Sequence, residues 1–253
     1  MSMGRDPTSH WSYVGASVRG PAHKRAGMPN QDAWLVHIRG EEVVAVVSDG
    51  LGSKPFADFG SRVACSAVSR AISVWRRNGD APPLSLLRLV HATWSAWVAP
   101  KKESDCATTC LLAHSDGARI TLAQLGDGMV AFGSPDSGFK TLPSHERDFS
   151  SETTGLGVCS DLGEWRVTSL TCPEENTAIL LASDGVSEDL LPNRLCDFIS
   201  FCSDRYFECS RRRTGLLAQD LRNWPTPGHE DDKTLVLLKW DGNKNGGGNS
   251  EAT

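Results

Sequence analysis

Apolar positions recur along this chain with two distinct periods. Strand-like runs cover Trp11 to Val18, Ala33 to Ile38 and Val43 to Ser48, with Gly40-Glu41 as a turn between the last two, so the chain opens as antiparallel β-structure. From Phe59 the period lengthens. Val63, Ala64, Ala67, Val68, Ala71, Ile72 and Trp75 recur three and four residues apart, which is one face of an amphipathic helix. Pro82 and Pro83 interrupt the pattern, and Leu84, Leu87, Val90 and Trp94 restart it until Pro100. His91 falls on this second helix and reads as a packed residue rather than a ligand.

Strand runs return at Ala107 to Ala113, Ile120 to Leu125 and Met129 to Phe132. An irregular Ser-, Thr- and Gly-rich region follows from Gly133 to Gly163, which predicts a flexible element, and then strands near Trp165 to Leu170 and Thr177 to Ala182. Helical spacing reappears at Leu190 to Ile199 and weakly over 214–221, before a last strand at Thr234 to Trp240. Helices in pairs between blocks of strands fit neither a βαβ repeat nor a solenoid, whereas two antiparallel sheets with helices packed outside satisfy the order. One domain over 11–240 is expected, between a polar segment 1–10 and a Gly- and Asn-rich tail 241–253 too poor in apolar residues to order itself.

Composition narrows the function classes. The 253 residues are 39% hydrophobic, enough for a substantial core in a single large domain. A net charge of -5 argues against nucleic acid as the main partner, since phosphate backbones are held by clustered Lys and Arg. The triplet Arg211-Arg212-Arg213 reads as a solvated helix face. No apolar stretch approaches the roughly 18 residues of a membrane span and the first ten residues lack a signal core, so the expectation is a soluble, cytoplasmic protein. Eight cysteines without a Cys-x-x-Cys pair, most of them inside apolar segments, are expected to be reduced and buried.

Candidate chemistry sits where the apolar runs end. Asp32, Asp49, Asp184 and Asp231 all stand at predicted strand ends, where a carboxylate is carried by a rigid element yet can face a cleft. Asp49-Gly50 and Asp184-Gly185 lack the second strand that a hairpin turn requires, while Gly126-Asp127-Gly128 reads equally well as a plain turn or a site. Adjacent carboxylates at Asp231-Asp232 repel one another unless a cation neutralises them. Oxygen ligands without Cys or His in ligand spacing select Mg²⁺ or Mn²⁺.

These pieces stand in the order of a family pattern: from Val14 to Trp240 the chain resembles the metal-dependent protein phosphatase 2C family, in its compact bacterial form. Asn30-Gln31-Asp32-Ala33, Ser48-Asp49-Gly50-Leu51-Gly52, Ala107-Thr108-Thr109, Leu125-Gly126-Asp127-Gly128, Thr154-Gly155-Leu156-Gly157, Ala182-Ser183-Asp184-Gly185-Val186 and Glu230-Asp231-Asp232-Lys233-Thr234 are similar to its successive elements. Any one is weak, and seven in order are specific. The resemblance implies an α+β fold, a four-layer α-β-β-α sandwich of two antiparallel sheets flanked by helix pairs. It implies two Mg²⁺ or Mn²⁺ ions: Asp49 bridges both, Asp184 and Asp231 complete the first site, the Gly50 carbonyl serves the second, and Asp32 orients a bound water. Asp127 would join Asp184 in a third site of the kind some bacterial members hold. The implied activity is direct hydrolysis of serine and threonine phosphomonoesters by a water bridging two metals, on a phosphorylated protein substrate, with a cognate Ser/Thr kinase as functional partner and a monomeric protein.

Three positions depart from the pattern. Gln31 replaces the usual Glu. Leu51 stands where many eukaryotic members carry a His proposed as general acid, and Gly27 replaces the Arg that grips the substrate phosphate. His23, Lys24 and Arg25, read as part of a mobile Gly-rich loop, are the nearby substitutes. Arg25 has the bidentate geometry that phosphate prefers, and His23 could serve either function. A pseudophosphatase acting as a regulatory binding module, and an enzyme acting on a small phosphorylated metabolite, are the competing readings. The 133–163 region corresponds to the family's flap, whose mobility suits substrate recognition.

Overall fold

The computed structural model describes residues 11–79, 81–142, 154–171, 173–208 and 212–242. The expected segments 1–10 and, beyond Gly242, the tail lie outside the described residues, as does the centre of the expected flap. In chain order the elements are β1 (Trp11–Val18), α1 (Pro21–Arg25), β2 (Asp32–Arg39), β3 (Glu42–Asp49), α2 (Ala57–Trp75), α3 (Pro83–Val98), β4 (Cys110–Ser115) and β5 (Arg119–Leu125). They continue with β6 (Met129–Ser134), β7 (Gly138–Thr141), β8 (Arg166–Thr171), β9 (Ala178–Ala182), α4 (Asp184–Ser187), α5 (Leu195–Phe207), α6 (Arg213–Arg222) and β10 (Lys233–Trp240).

The strands form two five-stranded sheets, ordered β1-β10-β9-β6-β7 and β2-β3-β4-β5-β8, with antiparallel pairing throughout. The α+β sandwich expected from the sequence is the observed fold. Alternation along each strand explains the layering, because successive side chains face opposite sides. On β3, Val43, Ala45 and Val47 face the other sheet and pack with Leu111, Leu122, Ile179, Leu181, Val236 and Leu238. Val44 and Val46 face outward onto α2 and α3, where Ala64, Val68, Ile72, Leu87, Val90 and Trp94 are buried. On the opposite side Leu180, Leu235 and Leu237 meet Ile199, Tyr206, Leu217 and Leu221 of α5 and α6. Three apolar layers therefore hold four layers of backbone.

Close approach fixes the α2–α3 side. Gly60 packs so tightly that a Cβ there would lie 1.8 Å from the Cys106 carbonyl oxygen, and its own carbonyl accepts the Trp94 indole N–H at 3.1 Å. His91 is a packing residue as expected, accepting the Trp165 indole N–H at 2.9 Å.

Local differences from the sequence reading have physical causes. The strand expected from Ala107 begins at Cys110, because Thr108 is taken up by isolated bridges to Gly50 and Leu156. Residues 21–25, expected as loop, form a short helix opened by Pro21, with Ala22 N–H donating to Glu230 O at 3.0 Å. The irregular region contains β7, paired with β6. Gly126-Asp127-Gly128 is no hairpin turn, since β5 and β6 belong to different sheets and the chain crosses the sandwich here, with Gly126 and Gly128 at φ of 90° and 87°. Among the described residues, Cys65, Cys106, Cys110 and Cys202 are free and buried, Cys159 is half-buried and Cys196 exposed. No described helix is long and apolar enough to cross a membrane.

Candidate metal centre

The ends of the two sheets bring five aspartates to one end of the sandwich. Asp32 opens β2 and Asp49 closes β3, and the two are cross-strand partners. Asp127 lies in the crossover from β5 to β6, Asp184 opens α4 directly after β9, and Asp231 precedes β10. Between the sheets at this end is a cavity of about 670 Å³ lined by Asp49, Gly50, Asp127, Asp184 and Asp231, with His23, Gln31, Leu51, Lys54 and Val158 among its other walls.

One carboxylate oxygen from each of Asp49, Asp127 and Asp184 lies within 4.8 Å of the others. Asp231 is outside that group but faces the same cavity, exposed, with its Oδ1 accepting the Asp232 N–H at 2.8 Å. The backbone beneath Asp49 is held firmly: its carbonyl accepts Thr108 Oγ1 at 2.7 Å and Thr109 N–H at 2.8 Å, and its N–H donates to Thr109 Oγ1 at 3.0 Å. Gly50 is equally confined, since a Cβ would meet the Ala57 carbonyl oxygen at 2.5 Å. Its own carbonyl accepts no hydrogen bond among the described residues.

Burial and mutual repulsion dominate the electrostatics. Burial first, then the charges of Asp32 and Asp184, hold the Asp49 carboxyl well above the ordinary range. Burial also raises Asp184, with the charge of Asp231 adding to it, and raises Asp32 to about 7 against the opposing effect of its hydrogen bonds. Asp32 Oδ2 accepts Ser183 Oγ–H at 2.8 Å, and Ser183 Oγ in turn accepts Thr234 N–H at 3.0 Å. Asp32 Oδ1 and Gln31 Oε1 are buried without a hydrogen-bond partner. Convergent carboxylates, a free carbonyl and orphaned buried oxygens form an all-oxygen donor set suited to hard divalent cations such as Mg²⁺ or Mn²⁺.

The neighbouring carboxylate Asp232 does something different from Asp231. It is 1% exposed and accepts Gly20 N–H and Gln31 N–H, each at 2.6 Å, besides contacting His23 Nδ1 at 2.9 Å. It ties α1 and the start of β2 to the start of β10. Of the basic residues singled out near Gly27, His23 lines the cavity, whereas Arg25 does not: its guanidinium pairs with the Glu230 side chain on the rim. Lys24 is exposed. Sequence reasoning missed Lys54, the sole Lys or Arg among the described lining residues, which carries no ion pair; its one available signal was its place five residues after Asp49. Leu51 reaches the cavity and offers no proton. Leu156, in the segment after the undescribed part of the flap, is bridged to Thr108 by hydrogen bonds of 2.8 and 3.1 Å, which brings Val158 to the cavity wall.

A family model described as protein phosphatase 2C matches residues 19–224. Among solved structures, the chain is similar in fold to the Mycobacterium tuberculosis serine/threonine phosphatase PstP/Ppp, at 16% identity and TM-score 0.60, covering 92% of this chain and 99% of that one. It is also similar to the catalytic domain of serine threonine protein phosphatase PstP in complex with two manganese ions, at 18% identity and TM-score 0.59, covering 90% and 97%. RsbX in complex with magnesium is similar at 14% identity and TM-score 0.59, covering 90% and 94%. No curated protein matches the chain in sequence.

Proposed function

We propose, for a chain that belongs to the protein phosphatase 2C family, that it is a Mg²⁺- or Mn²⁺-dependent phosphatase hydrolysing phosphoserine and phosphothreonine in proteins. The observation that carries this reading is the convergence of one carboxylate oxygen from each of Asp49, Asp127 and Asp184 within 4.8 Å of one another, on the wall of a cavity of about 670 Å³. Asp49, the Gly50 carbonyl, Asp184 and Asp231 would hold two ions, and Asp127 would share a third with Asp184. Cations bound there would make water more acidic and offset charge on the attacking and leaving oxygens.

The chain's own residues supply the rest. Asp32, fixed by Ser183 at 2.8 Å, directs its second oxygen without a protein partner and orients the attacking water. Lys54 faces this space and contacts the phosphoryl oxygens, with His23 beside it on the cavity wall and Arg25 at the rim beside Glu230. Val158 and the flap segment around it form the wall against which the substrate chain lies. The protein would act as a cytoplasmic monomer opposite a Ser/Thr kinase.

Hydrolysis of p-nitrophenyl phosphate and of a phosphoserine peptide by the purified chain, with Mn²⁺ and then with EDTA, tests the reading. Metal-dependent turnover that disappears in Asp184→Asn is the expected result. No turnover on either substrate would instead support a pseudophosphatase.

A further inference from the structure

The proton needed by the departing serine oxygen has no donor at Leu51, and the cavity wall holds one group built to supply it. We propose that His23, held by the buried carboxylate of Asp232, protonates the leaving oxygen of the phosphorylated side chain. This inference rests on the phosphatase reading above.

Three observations carry it. Asp232 is almost fully buried, and its two oxygens are fixed by the N–H groups of Gly20 and Gln31, both at 2.6 Å, so the carboxylate cannot turn away from the ring. His23 Nδ1 lies 2.9 Å from Asp232 Oδ2, which makes Nδ1–H the donor and fixes the ring orientation, while α1 is anchored through Ala22 N–H to Glu230 O. The His23 side chain is 16% exposed and lines the same cavity as Asp49 and Asp184, and its Nε2 has no partner among the described residues. A ring oriented by a buried carboxylate, with its other nitrogen open to the reacting space, is the arrangement a general acid requires. A purely structural histidine bonded to Asp232 would gain nothing from keeping Nε2 on the cavity wall.

The step balances without a further reactant. The oxygen of the attacking water forms a bond to phosphorus and the bond between phosphorus and the seryl oxygen breaks. Its electron pair stays on the seryl oxygen, which takes the proton from Nε2 of the doubly protonated ring and leaves the neutral ring with Nδ1–H on Asp232. The proton lost by the attacking water goes to solvent, and Nε2 is reprotonated from solvent.

The test compares leaving groups in His23→Asn, whose amide can still donate to Asp232 from about the position of Nδ1, and in His23→Gln. A p-nitrophenolate needs no proton to depart, whereas a serine alkoxide does. The expected result is a loss on the order of 100-fold in kcat on a phosphoserine peptide, with less than about threefold on p-nitrophenyl phosphate, in both variants and at unchanged thermal stability. Equal losses on the two substrates would overturn the proposal in favour of phosphate binding or folding, and unchanged activity on the peptide would overturn it outright. Absence of metal-dependent turnover by the wild type on both substrates would refute the phosphatase reading itself, an outcome separate from either of these.

Discussion

Replacing Asp32 by Asn should stabilise the metal-free protein while impairing its chemistry. Asp32 is buried, and desolvation lifts its carboxyl from the ordinary 3.8 to about 7. The folded state therefore binds this proton more tightly than the unfolded state, so stability falls as pH rises from about 4 through 7. At about 1.4 kcal/mol per tenfold change in proton affinity, the full penalty above pH 7 is ~4 kcal/mol. Asparagine removes the ionisation. Its carbonyl can still accept Ser183 Oγ–H, and its amide can donate towards the Asp49 carboxylate that Asp32 opposes across β2 and β3. Urea denaturation in EDTA near pH 8 should show the variant more stable by a few kcal/mol, up to ~4, and the gap should close near pH 4. A variant no more stable than wild type near pH 8, or a gap independent of pH, would refute the electrostatic account of this end of the sandwich.

Other consequences can be checked as directly. Burial and the charges of Asp32 and Asp184 raise the Asp49 carboxyl well above the ordinary range, so cation binding there is coupled to proton release. Calorimetric titration with Mn²⁺ in buffers of different ionisation heat should report proton release, and affinity should rise with pH. Lys54→Met keeps the apolar stem and removes the sole cationic Lys or Arg described on the cavity wall. It should raise KM for a phosphopeptide and the inhibition constant of inorganic phosphate by about 10-fold, the scale of one charged hydrogen bond, without shifting Tm. Gly60→Ala would drive a methyl group to 1.8 Å from the Cys106 carbonyl oxygen, and chemical denaturation should show a loss of at least ~1–3 kcal/mol.

How much of this was legible in the sequence depended on the range of the forces involved. The stripe from Val63 to Trp75 predicted α2 well because one buried face repeats every turn, and the unbroken apolar run from Val43 to Val47 predicted the strand that is β3. The family motifs located the carboxylates that converge here, since Asp49 and Asp184 sit where strands end and no hairpin follows. Long-range pairing was illegible. Nothing local distinguishes a hairpin at Gly126-Asp127-Gly128 from a crossing between sheets, or separates Asp231 on the cavity wall from Asp232 buried among backbone N–H groups. A five-residue α1 is too short to show a period, and its place depends on a contact to Glu230 more than 200 residues away in sequence. Lys54 carried no pattern at all, because a single lysine in a loop is ordinary until the fold closes a cavity around it.

Hydrolysis is expected to depend on cations held by the strand-end aspartates. The most direct measurement is an anomalous difference map from crystals grown with Mn²⁺. Strong peaks are expected between the Asp49 and Asp184 carboxylates, lost in Asp49→Asn together with turnover. Crystals without manganese at this site, from protein that hydrolyses phosphoserine in the same solution, would contradict that dependence.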